Sequence, residues 1–104
     1  MTDDNDSKWT FFSNYGHVYF LLAMNKDLIV REIAVKVGIT ERSVQGIIQE
    51  LEGAGYISKE KVGRSNRYSV VADTTLRHHL EGNVKTKDLV SLIKKAKKGS
   101  GTKT

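Results

Sequence analysis

Between Val30 and Gly53 the chain reads VREIAVKVGITERSVQGIIQELEG, and its apolar positions fall into two helical registers separated by a break. Ile33, Ala34 and Val37 share one face of a short helix over about Val30 to Val37. Gly38 follows, a residue able to take the left-handed conformation that ends a helix abruptly. Ile39 plugs the corner, and Thr40 suits the N-cap of a second helix running to Gly53. In that helix Val44, Ile47, Ile48 and Leu51 occupy one sector, with Arg42, Gln45, Gly46 and Gln49 opposite. A helix-turn-helix needs a small residue where its helices touch, a glycine in the turn and a β-branched residue inside the second helix. Ala34, Gly38 and Val44 meet all three requirements in one register.

The flanking patterns complete a small fold. Trp9, Phe11 and Phe12 form an aromatic cluster ahead of a helix capped by Ser13 or Asn14 and running to about Met24. That helix is apolar over most of its circumference, more than one small core needs, so a second partner surface is expected for it. Asn25 to Asp27 is a turn, and Leu28-Ile29 reads as a very short strand. Past the glycines of Glu52-Gly53-Ala54-Gly55, Tyr56 to Val62 and Arg67 to Val71 read as strands. Tyr68 and Val70 alternate with Arg67 and Ser69, and Gly63-Arg64-Ser65-Asn66 makes a hairpin connection. Asp73 to Val84 is polar, with Thr74-Thr75-Leu76 able to start one helical turn. Thr86 can cap a last helix carrying Leu89, Val90, Leu92 and Ile93, too short to stand alone. The expected class is α+β, mainly α with a small β-hairpin: a winged helix-turn-helix of three core helices, a wing and a C-terminal helix. The expected domain is 9–93, between a disordered acidic 1–8 and a disordered basic tail, 94–104.

Composition narrows the class without deciding it. The 104 residues include no cysteine, which excludes disulfides and thiolate metal sites and suits a cytoplasmic protein. No long apolar run or secretion leader is present, so no membrane association is expected. The net charge of +5 is unevenly placed: residues 1–7 carry −3, residues 94–104 carry +5, and the body carries +3. Lys59, Lys61, Arg64 and Arg67 against Glu60 give the hairpin alone +3, equal to the whole excess of the body. The tail reads equally as a source of nonspecific phosphate attraction or as a solubilising end.

Candidate chemistry follows from that placement. Thr40, Arg42, Ser43, Gln45, Gly46 and Gln49 lie where a recognition helix meets base edges and phosphates. Gly46 reads either as a site of close DNA approach or as an ordinary tolerated glycine. Lys61, Arg64, Asn66 and Arg67 sit on a basic hairpin able to reach phosphates or the minor groove. His17 reads as a half-buried ring. His78 and His79 are adjacent, so on a helix they diverge by about 100° and cannot form an i, i+4 metal pair. No metal or other cofactor is expected. No Gly-rich phosphate loop, carboxylate pair with histidine or nucleophile elbow appears, which argues against an enzyme.

The run ITERSVQGIIQELEGAGYISKEKVGRSNRYSV resembles a winged helix-turn-helix transcriptional regulator of the MarR/ArsR type. Leu51-Glu52-x-x-Gly55-Tyr56-Ile57 is similar to that type's exit from the recognition helix, and Gly63-Arg64-x-Asn66-Arg67-Tyr68 to its wing. The resemblance implies a prokaryotic regulator binding double-stranded DNA as a dimer. The metal sensing of some members does not carry over, since their cysteine pairs are absent here. Surplus apolar residues point to a homodimer through Phe11, Phe12, Tyr15, Tyr19 and Leu22 with Leu89, Leu92 and Ile93. A small-molecule effector is left open by the sequence. The alternative is a winged helix serving as a protein-interaction module in a larger assembly.

Overall fold

The computed structural model describes residues 9–71 and 74–103, with side chains through residue 96. The acidic segment expected at 1–8 lies outside them. Helix α1 spans Asn14–Met24, α2 Val30–Val37 and α3 Glu41–Gly53; strands β1, Ile57–Val62, and β2, Ser65–Val70, follow, and α4, Thr86–Lys103, closes the chain. This is an α+β winged helix: helices with one two-stranded antiparallel sheet.

The helix-turn-helix forms as its pattern dictates. Gly38 ends α2 at φ 88, and its N–H and that of Ile39 both donate to the Ala34 carbonyl, at 2.8 and 3.1 Å. Only glycine takes that conformation without strain, so the turn is as tight as the sequence requires. Ile33, Ala34 and Val44 are buried at the crossing of α2 and α3. At the start of α2 the Ile29 N–H donates to Glu32 Oε1 at 3.1 Å, so Leu28-Ile29 forms a helix entry rather than the short strand expected. That bond turns the Ile29 donor toward the helix instead of a neighbouring strand.

The hairpin pairs Ile57 with Val70, Lys59 with Tyr68 and Lys61 with Asn66. Val62 and Ser65 close it, leaving Gly63-Arg64 as a two-residue turn with Gly63 at φ 62. The second strand therefore begins two residues before Arg67, because Ser65 and Asn66 find ladder partners in Val62 and Lys61.

Beyond the wing, irregular chain is fixed by hydrogen bonds to distant residues. Tyr56 donates its hydroxyl to the Thr75 carbonyl at 2.9 Å, and the Leu76 N–H donates to Val84 at 3.0 Å. Thr75 bridges Lys85, so the helical turn lies not at Thr74-Thr75-Leu76 but at the short 3-10 stretch His79–Glu81. Buried Thr86 opens α4, and its hydroxyl donates to the Val71 carbonyl at 3.3 Å. This anchors α4 beneath the sheet's exit, where Leu89, Val90 and Ile93 pack on the core. The helix continues to Lys103, into the stretch expected to be a disordered tail.

The core is built around α1. Val18, Tyr19, Phe20 and Leu22 are buried, and α2, α3, β2 and α4 all pack against this helix. Its broad apolar surface is thus covered largely by its own chain. Two expected dimer residues are corrected accordingly: Tyr19 is buried and Leu22 is only 2% exposed, both inside the core. Phe11, Tyr15 and Leu92 stay exposed, and Phe12, Leu89 and Ile93 are half-buried against the core.

Candidate nucleic-acid interface

Helix α3 divides into two faces with no overlap. Val44, Ile47, Ile48 and Leu51 are buried, while Arg42, Ser43, Gln45, Gly46 and Gln49 are exposed. The inward face fixes the rotation of the helix, and so fixes which polar side chains look outward. Thr40 caps it: its hydroxyl accepts the Ser43 N–H at 3.0 Å and donates to Ser43 Oγ at 2.9 Å. Thr40 is therefore committed to holding the helix start, and the Ser43 hydroxyl hydrogen is left to donate outward. A Cβ placed on Gly46 would meet nothing within 4 Å, so packing does not require glycine there.

The wing adds a second polar surface. Lys61, Arg64, Asn66 and Arg67 are all exposed, with Arg64 at the tip beside Gly63. Arg67 is held differently from the others. Its Nε lies 3.6 Å from Asp27 Oδ1 in the turn after α1, an ion pair half open to water. This contact ties the wing to the body and takes part of the Arg67 charge. The positive charge of the hairpin and the outward face of α3 belong to consecutive elements, joined only by the turn through Gly55 at φ 87.

Comparison with known families matches residues 14–72, from the start of α1 to just past the wing, to the family described as sugar-specific transcriptional regulator TrmB. The match covers more than half of the 104 residues. The chain belongs to the TrmB family. No curated protein matches it. A TrmB regulator domain is a DNA-binding winged helix of a family of transcription regulators rather than enzymes, and double-stranded DNA is its partner. The resemblance to a winged helix-turn-helix regulator holds at that level, and the match does not single out the MarR/ArsR type.

Within this TrmB chain the histidines take structural places. His17 is half-buried in α1. His78 and His79 stack at 4.4 Å, and His78 Nδ1 accepts the Leu80 N–H at 3.1 Å while facing Glu81 at 3.8 Å. Among the described residues no group of three or more metal-ligating side chains comes together, and no helix is long and apolar enough to cross a membrane. Two features escaped the sequence reading. One is the Arg67–Asp27 pair, which joins residues 40 positions apart and leaves no periodic trace. The other is a groove between α1 and the segment after the wing, lined by Tyr15, Glu50, Tyr56 and Glu81 among others.

Proposed function

We propose that the chain is a sequence-specific regulator that seats α3 in the major groove and lays the wing along the adjacent backbone or minor groove. The observation that carries this reading is the clean division of α3, whose outward face offers Arg42, Gln45 and Gln49 to solvent beside a basic hairpin. Arginine and glutamine read guanine and adenine edges through paired hydrogen bonds, and a solvated helix face has no need of that selection. Arg64 and Lys61 suit phosphates, which position the protein without reading sequence. Dimerisation through α4 belongs to the same proposal, since Leu92 stays 64% exposed on a helix whose Leu89, Val90 and Ile93 pack on the core. The family's description names sugars; a response of that class is proposed for this chain too, with no residue of it assigned to a sugar.

The experiment is selection of binding sites from a random duplex library, followed by mobility shifts across a salt series. A defined, roughly palindromic site and a steep loss of affinity with salt are expected. Arg42→Ala and Gln45→Ala are each expected to cost about 1–3 kcal/mol on the selected site and to relax particular base positions. Weak binding insensitive to salt, with identical logos for wild type and variants, would instead favour a winged helix that docks proteins.

A further inference from the structure

The groove encloses about 900 Å³ between the start of α1, the last turn of α3 and the segment leading into α4. Small-molecule sites span roughly 300–1,000 Å³. Its walls are strongly aromatic, with contributions from Phe11, Phe12, Tyr15, Tyr19 and Tyr56. Two carboxylates line it, Glu50 from α3 and Glu81 from the 3-10 turn. The lining also holds one guanidinium, Arg77, and the His78 ring. Counted formally with histidine neutral, the lining carries two negative charges against one positive, in a chain whose formal charge is +5. Tyr19 lines it with a buried hydroxyl that interacts with the Thr86 hydroxyl without forming a hydrogen bond of ordinary geometry.

We propose that this groove binds an amphipathic organic cation, an aromatic or aliphatic body carrying an ammonium-type charge. Aromatic faces attract cations through their quadrupoles, most strongly where water is excluded. Glu50 and Glu81 supply the formal countercharge, and the Tyr15 hydroxyl donates to Glu50, holding that carboxylate beside the aromatic rings. An anion would meet both carboxylates. Glu50 and Leu51 lie in the last turns of α3, so occupancy bears on the pose of that helix. That consequence rests on the DNA-binding reading above; the binding itself does not.

Calorimetric titration of the full chain without DNA tests the site, using tetraphenylphosphonium and tetraphenylborate, ions of nearly the same shape and opposite charge. Overall charge favours the borate, so a preference for the phosphonium of about tenfold or more isolates the groove. Glu50→Gln and Glu81→Gln, which keep the size of exposed side chains, are each expected to weaken phosphonium binding several-fold, as is Phe11→Ala. Equal or tighter borate binding, or no phosphonium binding, would overturn the proposal. So would tight binding of a neutral disaccharide in place of the phosphonium. Phosphonium binding that vanishes as self-association rises would assign the groove to a second copy, and would overturn it as well.

Discussion

At Gly46 the helix carries a residue that its own packing does not call for. A Cβ there meets no atom within 4 Å, and glycine in a helix interior costs about 0.5–1 kcal/mol relative to alanine. Gly46→Ala is therefore expected to raise the unfolding free energy by that amount, as read by urea titration. If the glycine admits a DNA backbone or base edge, the same substitution lowers affinity for the selected site. Raised stability with unchanged affinity would make Gly46 an ordinary tolerated glycine. Tyr19 offers a second residue-level test. Burial holds its hydroxyl above the usual tyrosine range, with the Thr86 hydroxyl pulling it down and Tyr56 adding a smaller upward push. A raised folded value means that this contribution to stability is present below the unfolded value of 10.0 and is lost as pH climbs through the folded one. Tyr19→Phe removes a buried hydroxyl that lacks a well-formed bond, so stability at pH 7 is expected to hold or rise by up to about 1 kcal/mol. Its alkaline loss should be shallower than in wild type, though not abolished, because burial raises Tyr56 too. Denaturant midpoints at pH 7 and above pH 10 check both signs.

Elements differ in how far their local sequence determines them. The helix-turn-helix was legible because its determinants lie within a dozen residues: Ala34 receives the bonds from Gly38 and Ile39, and Thr40 caps the next helix. The outward face of α3 was legible for the same reason, since helical period alone fixes it. The wing was legible as a hairpin but not to the residue. Ser65 and Asn66 are polar enough to read as loop, yet the ladder claims them. The segment from Thr74 to Lys85 was not legible, because Gly55 and Tyr56 hold it from far along the chain and no repeat marks those bonds. The wing also yields a paired prediction with opposite signs. Arg64 at the tip is exposed, whereas Asp27 pairs with Arg67 and takes up part of its charge. Arg64→Ala is expected to weaken binding to all duplexes about equally and to flatten the salt slope by about one unit. Asp27→Asn removes a negative charge and frees Arg67, so it should steepen the slope. The ion pair itself is half-exposed, so its loss costs stability only about 0–1 kcal/mol. A slope that moves the same way in both variants would take the wing out of the interface.

On the scale of the whole molecule, the question is how one small domain reaches specific affinity. A single recognition helix with one wing touches limited DNA, and two copies double the contact while selecting a palindrome. The domain measures 43 × 32 × 30 Å. Two such bodies side by side place their centres about one body-width apart, a scale comparable with the ~34 Å between successive major-groove faces of a duplex. The surface argued for the contact has narrowed from that drawn on the sequence alone, because β2 and α4 cover α1 and take Tyr19 and Leu22 into the core. What supports self-association is α4, whose Leu89 and Ile93 pack inward while Leu92 stays out in solvent. An exposed leucine alone is unremarkable; on the helix that closes the fold, it would centre the proposed two-fold contact. Sedimentation equilibrium at micromolar concentration is expected to give a dimer, and Leu92→Asp a monomer with the same circular dichroism. The variant should bind a half-site as wild type does, yet lose most of its affinity for the full palindrome. A wild-type monomer on DNA and off it, indifferent to Leu92→Asp, would leave specificity to one helix and one wing, and the two-fold arrangement would fall.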